Sequence, residues 1–253
     1  MQAQRGTQTA AGTRFARYGC GVKLARAVNI VERLGICLVY PIDNAPEPPS
    51  LWSALYPRSK MEWSWDADAD PRVAEVWHLR EALAASSDVV YAKWFRGRAT
   101  FFSLPVFHAI LGKLHEAGDS FAGLPHESNE LMERLRELSP RSTKELRAEA
   151  GLRGKQFESL FTHAMKALWT RLLVVGTGEV PDGAFPSLAV AATEMLFEDV
   201  WNARAAVPND AGKQLDAALA RSPGFAKELA RSVKAVREAS AASRRSFDED
   251  ELY

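Results

Sequence analysis

Three short stretches, Ser139-Pro140, Ser142-Thr143-Lys144-Glu145 and Gly151-Leu152-Arg153-Gly154, constrain this fold more than anything else in the chain. Apolar spacing predicts a helix over 128–138, and Pro140 stops it, because proline has no amide hydrogen and restricts the residue before it. Ser142 with Glu145 three positions later is a capping box, in which each side chain satisfies a backbone donor left open at a helix start. The short helix it opens ends near Ala150, with Gly151 where a left-handed residue terminates a helix. Beyond the turn, residues 154–170 read GKQFESLFTHAMKALWT. At roughly 100° per residue, Phe157, Leu160, Phe161, Ala164, Met165 and Leu168 gather into a core stripe. Lys155, Ser159, Thr162, His163, Lys166 and Thr170 face the other way, with no acid among them. Two strands follow, 172–180 and 184–190, turning at Pro181-Asp182-Gly183.

Helix, short helix, tight turn, longer helix and hairpin is the order of a winged helix. In such modules the second helix of the pair lays its outer face in the major groove of DNA. The candidate DNA-binding residues here are Arg141, Arg153, Lys155, Ser159, His163 and Lys166. Across 141–175 seven basic residues face three acids, within a chain whose 32 Lys and Arg are balanced by 32 Asp and Glu. Winged helices also dock proteins, which leaves a protein-docking module as one alternative.

The upstream half is less regular. An amphipathic helix over 22–34 is closed by Gly35, and ICLVY (36–40) reads as a short strand. Prolines at 41, 46, 48 and 49 make a loop, and Ser50 caps a short helix over 50–56. A helix is predicted over 72–85 and another over 105–117. Between them VVYAKWF (89–95) and ATFFSL (99–104) turn through Arg96-Gly97-Arg98 as a hairpin. Lys93, Arg96 and Arg98 interleave with Trp94, Phe95 and Phe101. That pattern suits a phosphate backbone and an unstacked base, and equally a packed hairpin with solvated charges.

The fold class expected is α+β, mainly helical, with tandem winged-helix-like modules and short β-hairpin wings. Residues 1–20 read as a flexible basic N-terminus, 21–120 as a helix and hairpin region, and 121–200 as the winged-helix domain. Residues 201–245 read as a C-terminal helical extension, either packed back or a basic arm. Residues 246–253 read as an acidic tail, with the last ten residues expected to be disordered.

Several function classes are excluded. Cys20 and Cys37, two cysteines in all, make neither a disulfide framework nor a thiolate zinc site. The first 20 residues lack an apolar signal core, and no apolar run approaches the roughly 18–20 residues of a membrane span. Gly176-Thr177-Gly178 lacks the spacing of a nucleotide fingerprint, and His108 and His115 share a helix face without a third ligand. The expectation is a cytoplasmic, nucleoid-associated protein with double-stranded DNA as its partner and no membrane, metal or small-molecule cofactor.

Four stretches in combination carry a resemblance: LGICLVYPIDNAPEPPSLWSAL (34–55), VWHLREAL (76–83), YAKWFRGRATFFSL (91–104) and the 139–190 helix pair with its hairpin. Over roughly residues 30–200 the chain resembles the AlkZ-related proteins of the AlkZ/YcaQ winged-helix superfamily. The resemblance implies a tandem winged-helix architecture gripping duplex DNA. It also implies kinship with DNA glycosylases that remove alkylated or crosslinked bases, a DNA repair activity. Those enzymes position the attacking water with a Gln-x-Gln or Gln-x-Asp pair shortly after a Leu-Gly. Here Leu34-Gly35 is followed by Leu38 and Tyr40 in that register. Leucine has no hydrogen-bonding group, and tyrosine with its ordinary pKa of about 10 is a poor base. The expectation is therefore a DNA-binding relative acting in damage recognition or regulation. The alternative is a divergent glycosylase with a relocated catalytic residue, for which Asp43 is the candidate, although Asp43-Asn44 also reads as a plain turn.

Overall fold

The computed structural model describes residues 11–64, 69–181 and 186–250. Helix α1, Ala11–Leu34, begins well before the expected Val22 and ends where Gly35 takes a φ of +74°. A Cβ at position 35 would stand 3.0 Å from Val106 Cγ2 and 3.2 Å from Ala218 Cβ, so packing as well as backbone conformation calls for glycine. Strand β1 is the buried Ile36–Leu38. The Ser50 hydroxyl accepts from the Ser53 amide and caps α2, Leu51–Leu55. Asp70 caps α3, Pro71–Ser86, by accepting from the Arg72 amide. Strands β2, Val89–Phe95, and β3, Arg98–Ser103, form the expected hairpin. Arg96 and Gly97 both have positive φ, 51° and 74°, the backbone that matches a two-residue turn to strand twist.

Helices α4, Leu104–Ala117, and α5, His126–Glu137, lead to the two-residue strand β4, Arg141–Ser142. The capping box is present at the start of α6, Thr143–Glu149. Lys155–Phe157 form a 3₁₀ turn before α7, Glu158–Thr170. Strands β5, Val174–Val180, and β6, Ser187–Ala192, follow, then α8, Thr193–Leu196, and α9, Glu198–Asn202. The chain continues with α10, Asn209–Arg221, and α11, Pro223–Asp250. The helical backbone thus reaches Asp250, where disorder was expected. Residues 1–10, 251–253 and the Asp182-Gly183 turn lie outside the described residues.

Among the described residues six strands form one sheet, in the order β1-β3-β2-β5-β6-β4, with neighbouring strands antiparallel. The protein is therefore mixed helix and sheet, with the sheet crossing the division expected at residue 120. Tyr91 opposite Gly176 is the registered pair that joins the β2–β3 hairpin to the β5–β6 hairpin. Strand β2 is buried on both faces. Val90, Ala92 and Trp94 point into a core with α4, α5, α7 and α11, whereas Val89 and Tyr91 point into a second core with α1, α2 and α3. This explains why VVYAKWF reads as apolar almost throughout, rather than alternating.

Helix α11 packs back onto the β2–β3 hairpin, which decides between the two readings of the C-terminal extension. Phe225 is fully buried and meets the Phe95 ring edge-on at 5.3 Å. Trp94 Nε1 donates to Ser232 Oγ at 3.2 Å. Glu47 Oε1 accepts from the Ser222 hydroxyl at 2.5 Å and the Gly224 amide at 2.9 Å, at the start of the helix.

Leu131, Leu135, Leu146, Met165 and Leu168 share a core, as expected, with Phe161 half-buried against it. Phe157, half-buried, and Leu160, 37% exposed, do not join them. Phe157 lies in the 3₁₀ turn, which winds with fewer residues per turn than an α-helix and so falls out of phase with the stripe of α7. Leu160 keeps the phase of Ala164 and Leu168 but stands in the first turn of α7, where the core no longer covers it. The fully buried stripe is Ala164, Met165 and Leu168, as expected, extended by Trp169.

Candidate nucleic-acid interface

The outward face of the 155–170 segment is exposed at the polar positions singled out from sequence. Lys155, Ser159, Thr162, His163 and Lys166 are all exposed, as is Arg153 in the turn before it. The surrounding cations divide into two groups. Arg147 Nε donates to Leu152 O at 2.7 Å and its Nη2 to Gly154 O at 2.9 Å, which holds the turn in shape. Arg171 is buried and donates to Ser120 O at 2.9 Å and Ala122 O at 2.6 Å, and burial lowers its pKa although Asp119 opposes this. Arg141 pairs with Glu149 at 2.5 Å and is only 22% exposed at its side chain. Summed charge over 141–175 therefore overstates what the surface offers, because three of its arginines are spent on internal contacts.

A cleft of about 690 Å³ opens beside this face. It lies where the sheet forks: beyond Tyr91 and Gly176, β2 has no further registered partner in β5, and its register with β3 shifts between Ala92 and Phe95. Trp94, Met165, Trp169 and Leu188 give it an apolar floor. Lys93 and Arg96 of the hairpin, Lys166 of α7 and Arg231 of α11 bring positive charge to its walls. Glu228 also lines it but is 5% exposed and ion-paired to Arg231 at 2.6 Å. Lys93 reaches solvent, yet partial desolvation in the cleft and the nearby Arg80 charge lower its pKa, with Glu179 opposing.

Of the residues singled out from sequence, Lys93, Arg96 and Lys166 meet in this cleft. Arg98 is exposed on the same hairpin but is not part of the lining, and Lys155, Ser159 and His163 lie outside it on the α7 side. Sequence reasoning missed Arg231 and Glu228. The helical pattern of 225–239 is plain, but nothing in it indicates that it folds against a hairpin more than a hundred residues earlier.

The Leu38–Tyr40 register is built for packing. Leu38 is buried at the sheet edge. The Tyr40 hydroxyl donates to Val73 O at 2.7 Å, and burial pushes its pKa up to about 12 against the opposing charge of Arg80. A phenol so held has no proton-accepting capacity near neutral pH. Asp43 and Asn44 both adopt left-handed backbone, with φ of 50° and 54°. Asn44 closes this turn onto Met61, accepting from its amide at 2.6 Å and donating to its carbonyl at 3.0 Å. Asp43 is exposed on that turn and is not among the residues lining the cleft. Among the described residues no group of three or more His, Cys, Asp or Glu side chains is placed to hold a metal ion, and no helix is long and apolar enough to cross a membrane.

The site is thus a polar, acid-free helix face beside a basic cleft with an aromatic floor, carried on a mixed helix-and-sheet fold. The family can be stated more closely. The chain belongs to the AlkZ-related family, whose model matches residues 23–222. Membership associates it with DNA glycosylase-like or DNA-binding functions. No curated protein and no solved structure matches the chain.

Proposed function

We propose that this protein binds double-stranded DNA through tandem winged-helix-like modules and acts in damage recognition or regulation without excising bases, in the cytoplasm and associated with the nucleoid. The observation that carries this reading is the exposure of Arg153, Lys155, Ser159, His163 and Lys166 around one helix, continuous with Lys93 and Arg96 in the adjoining cleft. Helix α7 would enter the major groove, with the β5–β6 hairpin as its wing. Arg98 and the β2–β3 hairpin would contact the backbone alongside. Arg141 contributes by fixing α6 through Glu149 rather than by touching phosphate. The absence of excision follows from Leu38 and Tyr40, neither of which can position an attacking water.

The test is fluorescence anisotropy with a labelled duplex across a salt series. If about five phosphates are neutralised, log affinity should fall with log salt at a slope of about −4 to −5. Absence of binding to any duplex at low salt overturns the reading and favours a protein-docking module.

A further inference from the structure

The Lys93 amine is the one chemically unusual group in the cleft. Among the described residues it makes no hydrogen bond or ion pair, although it stands in a space with a carboxylate, because Glu228 is taken by Arg231. Three further cations, Arg96, Lys166 and Arg231, share that space. Partial desolvation in the cleft favours the neutral form of this amine, the Arg80 charge acts in the same direction, and Glu179 opposes. Neutral lysine is a nucleophile towards carbonyl carbon. The apolar floor of Trp94, Met165 and Trp169 favours a condensation whose reverse reaction requires water.

The ligand that fits must carry an electrophilic carbonyl and at least one neighbouring anion. DNA that has lost a base meets both requirements: its ring-opened deoxyribose presents an aldehyde at C1′ between two phosphodiesters. We propose that Lys93 captures the aldehyde of an abasic site as a Schiff base, with Arg96 and Lys166 holding the flanking phosphates. The Nζ lone pair adds to C1′ as the C=O π bond breaks, and an Nζ proton passes to the oxygen, giving a neutral carbinolamine. A proton from solvent lets the hydroxyl leave as water, the nitrogen lone pair forms the C=N bond, and the protonated imine results with no oxidant or reductant consumed. The inference rests on the DNA-binding reading above, but it assigns a covalent role that phosphate binding does not require. It also gives the family fold a use for damaged DNA that is independent of the missing water-positioning pair.

The experiment incubates the full chain with a duplex containing one abasic site and adds sodium borohydride, which reduces an imine to a stable secondary amine. Binding of the same duplex is followed by anisotropy, so that trapping is scored at saturating protein. The expected result is a protein–DNA adduct on a denaturing gel, mapped by peptide mass spectrometry to Lys93. Lys93→Arg keeps the cation but cannot form the imine, and at saturation it should lower the adduct at least tenfold. Saturated binding without an adduct, or an adduct on Lys155 or Lys166 instead, overturns the Lys93 assignment and leaves the DNA-binding reading standing. No binding of either intact or abasic duplex overturns both.

Discussion

Gly176 lies beneath the ring of Tyr91 at the registered pair that joins the two hairpins, and a Cβ at position 176 would overlap Tyr91 Cδ1. The two halves of the sheet are thus held together at a point where one strand has given up its side chain. Gly176→Val should force the ring or the strand aside and destabilise by about 1–3 kcal/mol, as overpacking of a filled interior generally does. Urea unfolding monitored by circular dichroism measures this. A midpoint equal to that of the unaltered chain would mean that the hairpins can separate without consequence.

A second tie crosses the same seam. Arg80 of α3 and Glu179 of β5 form an ion pair with side chains 8% and 13% exposed, and the guanidinium stacks 4.0 Å from the Trp77 ring centroid. Removing one partner leaves the other charge poorly solvated, so Glu179→Gln should cost about 3–5 kcal/mol. The double variant Arg80→Met with Glu179→Leu should recover much of that loss, because breaking the pair costs more than replacing both charges by apolar groups. Thermal denaturation of the two variants beside the unaltered chain decides it.

Alkaline pH should weaken the fold through two acids, the buried Cys37 and the half-buried Tyr40. Burial pushes the Cys37 thiol from 9.0 up to about 12 and the Tyr40 phenol from 10.0 up to about 12. Both groups keep their proton in the folded state after the unfolded chain has lost it. Their contribution is therefore complete below about pH 9 and is lost as pH rises towards 12. Urea midpoints at pH 8 and pH 10.5 should show the decline, and Cys37→Ala should flatten its lower part. In the folded protein Cys37 should also resist alkylation, read by mass spectrometry of its peptide.

The basic residues of the 141–171 region should separate by phenotype. Lys155→Glu and Lys166→Glu are expected to weaken duplex binding on all sequences and reduce the salt slope, since their side chains are exposed. Arg171→Ala should lower stability instead, because it removes two hydrogen bonds from a buried cation to the carbonyls of Ser120 and Ala122. Comparing anisotropy with urea midpoints for the three variants tests the division, and Arg171→Ala weakening binding while leaving stability untouched would contradict it.

Local signals were legible wherever the chain's own neighbours decide conformation. The Ser142–Glu145 box, the Arg96-Gly97 turn, Gly35 and the Ser50 cap each depend on residues a few positions apart, and each is found in the structure. The AlkZ-related kinship was legible from four stretches taken together. What the sequence concealed depends on distant partners. In the sequence Trp94 suits either a stacking platform or a packed hairpin ring; at 2% exposed, with its indole bound to Ser232, it is the packed ring. Arg147 and Arg171 read as surface charge, but the carbonyls they reach become available only once α6, α7 and the segment after α4 have assembled. Phe157 was misplaced because hydrophobic periodicity alone does not reveal a 3₁₀ turn at the start of a helix, and Leu160 because periodicity does not show where along a helix the core ends.

The joining of β2 to β5 also has a temporal consequence. A ribosome releases the β1-β3-β2 ribbon long before β5, so the nascent chain carries an unpaired β2 edge, with Trp94 and Phe95 uncovered, throughout the synthesis of α4 to α7. Phe225 and Ser232, which cover those rings, emerge later still. The cleft wall is therefore finished only when α11 arrives, which makes vectorial synthesis the period in which this protein is most open to chaperones and to mispairing with another copy of itself.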